Sequence, residues 1–170
     1  MADPTIDLEA LGLRSGEAAW REMELSPSAP VLGGERLSLE AEPLAIRVDV
    51  SRTSAGFALR LRARAVLVGS CARCLGPARL FLEIDAREVD QGDVDDDELT
   101  SPYVERELLD PDAWLHDALV LALPERLICR EDCAGLCEVC GISLNDLDPG
   151  SHVHERPPDP RFAKLRDLLE

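Results

Sequence analysis

Eight residues of the types that bind soft metal ions fall into two blocks. The early block is Cys71-Ala-Arg-Cys74; the late block holds Cys129, Cys133, Cys137, Cys140, His152 and His154. Two cysteines separated by two residues can turn both sulfurs toward one ion. Zinc takes four such ligands tetrahedrally, at about 2.3 Å for sulfur and 2.0–2.1 Å for imidazole nitrogen. Cys137-Glu-Val-Cys140 has the spacing of a zinc knuckle, and Gly141 lets the backbone turn its amides toward the sulfurs. His152 and His154 project to one side of an extended segment, because side chains alternate along it. Cys137, Cys140, His152 and His154 therefore make one complete Cys2His2 set. Cys71, Cys74, Cys129 and Cys133 make a possible second set, which would pin an early loop to the late segment. The expected cofactor is zinc, one ion or two.

Plainer readings stand beside this one: buried or free thiols at Cys129 and Cys133, or a redox pair at Cys71 and Cys74. A thioredoxin-type pair opens a helix near a βαβ unit, whereas Cys71 and Cys74 sit between strand-like segments. A catalytic zinc keeps one position open for water, and a filled four-ligand set does not, so the pattern favours structural zinc. Thiolates disfavour magnesium and calcium. No glycine-rich phosphate loop is present, His116 lies among apolar helix positions, and Ser70, His116 and Asp117 form no triad pattern. The expectation is a protein that is not an enzyme.

Charge narrows the partners. The formal net charge is −16, from 34 acidic and 18 basic residues. Nucleic-acid binders gain affinity by neutralising phosphates with Lys and Arg, so this balance repels bulk RNA unless the arginines cluster. A basic protein is the easier partner. Met1 to Ala10 carries Asp3, Asp7 and Glu9 and lacks the basic start and apolar run of a secretory signal, and no stretch approaches ~18 consecutive apolar residues. A cytoplasmic location is expected, where six cysteines stay reduced and serve better as ligands than as disulfides.

The ligands need elements to hold them. Period-2 alternation predicts strands over 43–51, 56–69 and 78–89, the first two joined by a turn near Thr53 to Gly56 and the last two by the loop carrying Cys71 and Cys74. Ala18 to Leu25 alternates weakly and is a candidate strand; Ser26 to Gly34 has linker composition. Asp110 or Asp112 can cap a helix with Pro111 in its first turn. Leu115, Leu119 and Ala122 share one face of that helix, Trp114, Ala118 and Leu121 flank it, and Pro124 ends it. The run Asp90 to Glu98 lacks any apolar period and is predicted as a loop. Asp159 and Pro160 open a short last helix reaching Glu170. The expected class is α+β: an antiparallel sheet with one main helix, then a zinc-knuckle segment and a short C-terminal helix. The expected divisions are a loosely ordered 1–35, a sheet-plus-helix core over 36–125 and a Cys/His segment with the last helix over 126–170. That last segment holds little apolar content, so a metal would supply its order.

These motifs together carry a resemblance. Cys71-Ala-Arg-Cys74-Leu75 after a strand is similar to the hallmark of the large ribosomal RNA subunit accumulation protein family, YceD. Leu119 to Pro124 (LVLALP), Cys129, Cys133-Ala-Gly-Leu-Cys137, Cys140-Gly141, Leu144-Asn145 and the ending Asp159-Pro160-Arg161-Phe162-Ala163 with Leu165 follow in the family's order. The resemblance covers about residues 40–170. It departs at His152 and His154, where many relatives carry two cysteines, a swap that keeps zinc ligation possible. The resemblance implies support for synthesis, processing or stability of large-subunit (23S) ribosomal RNA, and it brings no catalytic residue.

The expected function is a non-enzymatic zinc-binding factor of ribosome biogenesis. Asp95, Asp96, Asp97 and Glu98 in the acidic run are candidates to hold a basic ribosomal protein of the large subunit. Arg60, Arg62 and Arg64, with Arg73, are candidates to touch precursor RNA. Alternating charge on a wet sheet face is also ordinary. The alternatives are a thiol/zinc redox-responsive regulator and an RNA-processing enzyme.

Overall fold

A computed structural model describes residues 4–91 and 99–154. Asp95, Asp96, Asp97 and Glu98 and the expected C-terminal helix lie outside the described residues. In chain order the strands are β1 (Ile6–Asp7), β2 (Ala18–Leu25), β3 (Val31–Leu32), β4 (Glu35–Arg36), β5 (Ser38–Leu39), β6 (Leu44–Arg52), β7 (Phe57–Ser70), β8 (Pro77–Asp90), β9 (Val104–Glu105) and β10 (Leu108–Leu109). One helix, α1 (Pro111–Leu121), follows.

The main sheet is antiparallel throughout. β7 is its spine: β8 pairs along all of it, β6 pairs with its first half, and β5 continues the β6 side at Leu67 and Val68. β2 lies outside β6, with Trp20 opposite Asp49 and Glu22 opposite Arg47. The three long strands fall within one residue of the expected spans, because 9- and 14-residue alternations leave little freedom of register.

The apolar rows face one way. Leu44, Ile46, Val48 and Val50 of β6 join Phe57, Leu59, Leu61 and Leu67 of β7 and Leu82 and Ile84 of β8 in the core. Helix α1 covers this face with Trp114, Leu115, Ala118 and Leu119, all buried. The Asp110 carboxylate caps the helix by accepting from the Asp112 and Ala113 amides, each at 3.0 Å, and Pro111 takes the first position. Leu121, expected beside the apolar face, is instead 85% exposed: it lies at the end of a helix whose buried stripe closes at Leu119.

The N-terminal residues, whose turn formers suggest loose organisation, are tied to this core. Ile6 and Leu8 are buried, β1 pairs with β10, and β2 is a full eight-residue strand of the sheet. The other sheet face is wet. Among the described residues no helix is long and apolar enough to cross a membrane.

Candidate metal centres

The turn between β7 and β8 is built to aim sulfur. The Cys71 amide donates to the Gly76 carbonyl at 2.8 Å, and the Leu75 amide donates to the Cys71 carbonyl at 2.9 Å. Leu75 takes a left-handed φ of 59°, which closes the turn. The Arg73 amide points at Cys71 Sγ, 3.4 Å away. The late segment is strapped alongside: the Ala72 amide donates to the Leu127 carbonyl at 2.8 Å.

This strap brings the two blocks together. Cys71 Sγ lies 3.8 Å from Cys133 Sγ, and Cys74 Sγ lies 3.7 Å from Cys129 Sγ. The four sulfurs all sit within 4.8 Å of one another, with Cys71 and Cys133 buried and Cys74 and Cys129 half-buried. A tetrahedron of sulfurs at about 2.3 Å from its centre has edges of about 3.8 Å. The four cysteines thus fit a thiolate-bound ion, and they stand far beyond the ~2.05 Å of a disulfide bond.

Arg73, an expected RNA contact, directs its guanidinium to the late block. It donates to the Glu131 carbonyl at 3.2 Å and the Cys133 carbonyl at 3.0 Å. Asn145 also holds Cys133. Its Nδ2 lies 3.5 Å from Cys133 Sγ, and its Oδ1 accepts from the Ala134 amide at 2.8 Å. The role of Asn145 is not readable from its residue type; the one signal for it in the sequence is that Leu144-Asn145 belongs to the run resembling the family.

The second set is a knuckle nearer the surface. The Cys137 amide donates to the Ile142 carbonyl at 2.9 Å, the Gly141 amide donates back to the Cys137 carbonyl at 2.8 Å, and the Val139 amide points at Cys137 Sγ at 3.4 Å. Gly141 has φ 72°, the left-handed turn that its lack of a side chain makes easy. Cys140 Sγ lies 3.2 Å from His152 Nε2 and 3.3 Å from His154 Nε2, and the two Nε2 atoms are 2.9 Å apart. Tetrahedral edges for a mixed sulfur–nitrogen set are about 3.5 Å and 3.3 Å. The observed spacings are a few tenths of an ångström tighter, so a small outward relaxation admits an ion.

Acidities of the sulfurs differ within each set. Burial works against ionising Cys71, but the backbone amides of Cys129, Cys74 and Arg73 outweigh it and hold the thiol at about 6. The amides of Cys140 and Val139 likewise bring Cys137 to about 6. Burial also opposes ionisation of Cys133, and hydrogen bonding from Asn145 overcomes it, lowering that thiol. Cys129 goes the other way: burial and its thiol neighbours Cys133 and Cys71 push it up to about 12. Crowded sulfurs cannot all carry charge unless a cation sits among them, because each thiolate raises the cost of the next.

The expected RNA-facing arginines share one face but are engaged there. Arg60 clamps Asp85 through two bonds of 2.7 Å, Arg62 holds Asp49 at 2.6 Å, and Arg64 reaches Glu83 at 3.0 Å. Asp49 is buried enough to resist ionisation, yet the hydrogen bonds from Arg62 and Arg47 dominate and keep its carboxyl below the ordinary range.

An antiparallel sheet, one covering helix and two four-donor sets that could hold metal define a small protein with Cys/His clusters sewn onto a β core. The chain belongs to the family of the large ribosomal RNA subunit accumulation protein YceD, whose match runs over residues 59–169 and so takes in both donor sets. It is 35% identical to uncharacterized proteins of Mycobacterium tuberculosis and Mycobacterium bovis, over 97% of this chain and 81% of each relative. It is 30% identical to an uncharacterized protein of Mycobacterium leprae, over 96% of this chain and 76% of that relative. No solved structure matches.

Proposed function

We propose that this chain is a non-enzymatic zinc-binding factor of the cytoplasm that supports accumulation of large-subunit ribosomal RNA, acting by binding a basic ribosomal protein. Family membership over residues 59–169 carries the ribosomal part of the reading. The two clustered four-donor sets support the metal part. Cys71, Cys74, Cys129 and Cys133 would hold one zinc; Cys137, Cys140, His152 and His154 would hold another. Zinc bound by four protein ligands supplies fold stability rather than an activated water, which is why no reaction is proposed.

A protein partner is favoured over RNA by charge. The net charge is −16, and Arg60, Arg62 and Arg64 already face carboxylates at 2.6–3.0 Å. Surface pairs of this kind are worth only about 0–1 kcal/mol each, so they could open to phosphate, but the surrounding acid charge remains. Affinity capture with the tagged chain followed by mass spectrometry and RNA sequencing tests the proposal. It predicts recovery of a basic large-subunit protein. Recovery of no large-subunit protein and no precursor RNA sinks it.

A further inference from the structure

The main sheet ends at β2, and that edge is open. β2 pairs with β6 alone, and no strand lies on its outer side among the described residues. The Trp20 carbonyl is accessible there and is taken only by the neighbouring Arg21 guanidinium, at 3.0 Å. An edge strand of eight residues with unpaired amides and carbonyls is a template for another strand.

The side chains along this edge differ from the rest of the wet face. Asp49, Asp85, Glu83 and Glu40 each face an arginine. Glu22 and Glu24, on the same face at the outer edge, are exposed and have no ion pair among the described residues. Beside them Trp20 is half-exposed and lies against Arg47, whose guanidinium carbon is 4.6 Å from the ring centre. A hollow running from Glu22 and Glu24 to Arg62 gives the face a concave floor.

We propose that β2 docks an extended basic segment of another protein by strand addition, with arginine or lysine at alternate positions set against Glu22 and Glu24. The proposal deepens the basic-partner reading and rests on it for the identity of the binder. An added strand lies about 4.8 Å away, and side chains directly opposite come within about 5 Å, close enough for each cation to meet a carboxylate. The main-chain bonds would give affinity and the glutamates selectivity.

Two other occupants fit worse. A second copy of β2, paired antiparallel in the registers centred on residues 21, 22 and 23, sets Arg21 on Arg21, Glu22 on Glu22, or Glu22 on Glu24, and like charges directly opposite are unfavourable; the register centred on Trp20 avoids this but sets Glu22 against Ala18, leaving the carboxylates without cations. RNA phosphate meets the two unpaired carboxylates. The opposite edge, β8, is a poorer rail for cations because Arg79 and Arg87 stand along it.

The test uses the full chain and a fluorescein-labelled peptide of about ten residues alternating arginine with valine, read by anisotropy at physiological salt. Binding weakens about tenfold in the double variant Glu22→Arg, Glu24→Arg, and less than twofold in a control of equal charge change, Glu125→Arg, Asp146→Arg. Hydrogen exchange slows on peptide addition at amides within 18–25. Equal loss in both variants, or binding without protection of β2, overturns the assignment to this edge, and so does a wild-type chain that takes up no peptide. The capture experiment separates the two claims. Large-subunit protein recovered equally by wild type and by the Glu22→Arg, Glu24→Arg variant keeps the basic-partner reading and removes the edge. Peptide binding at β2 without any large-subunit protein in the capture does the reverse.

Discussion

Arg73 sits inside the first Cys-x-x-Cys pair, yet its guanidinium serves the other block, donating to the carbonyls of Glu131 and Cys133. Each charged hydrogen bond of this sort is worth about 1.5–3 kcal/mol. Arg73→Ala should therefore speed zinc loss from the four-cysteine set to a chelating dye, while Arg73→Lys, which keeps the charge but loses the fork, should fall between. An unchanged release rate in Arg73→Ala would place the residue outside the site. Asp49 makes a prediction with a sign. Its carboxyl is depressed below the ordinary 3.8, so the contribution of the Arg62 and Arg47 pairs is present above that pH and is lost as acid protonates the folded form. Partly exposed pairs are screened, so Asp49→Asn should cost no more than about 1 kcal/mol at neutral pH. That difference should shrink in denaturant titrations run well below pH 3.8.

At the scale of elements, the late segment depends on its turns. Gly135 has φ 79°, and a side chain there would press on the Arg73 carbonyl at 3.1 Å. Gly135→Ala should loosen the clamp around Cys133 by about 1–2 kcal/mol, seen as faster proteolysis after Leu127 with the far-ultraviolet signal of the sheet retained. Cys137→Ser should open the knuckle only, leaving the Cys71 to Cys133 set able to bind; loss of the whole late segment in that variant would mean the two sets fold as one. The long strands were legible because their alternations run nine to fourteen residues. β1, β5, β9 and β10 were not: a two-residue strand has no period, and its pairing comes from what lies across the fold. The grouping of the eight donors was legible from spacing and elimination. The grip of Arg73 and Asn145 on Cys133 was not, since for Arg73 the acceptors come from some 60 residues away.

For the whole molecule, the core and the donor sets lean on each other unequally. The core has its own buried face, with Trp114, Leu115 and Leu119 against Val48, Leu61 and Leu67. The late segment contributes mainly Leu127 and Cys133 to it. Metal analysis of reduced, chelator-free protein should give two zinc per chain. Stripping them should melt the region from Cys129 to His154 by hydrogen exchange while β6, β7 and β8 keep their protection. A stripped protein still fully protected through residue 154 would show that metal plays no part in its order. Trp114→Ala should act in the opposite direction, costing about 3–5 kcal/mol of the core itself.

The clustering of Cys74 with Cys129 across 55 residues also sets an order of events at birth. Translation runs at about 5–20 residues per second, so the first thiol pair waits some seconds before its partners leave the exit tunnel. During that wait it offers half a coordination sphere, able to catch an ion but not to cage it. Closure of the four-cysteine set therefore waits until the chain has been read past Cys133, and a product truncated before Cys129 would carry only the first pair of sulfurs.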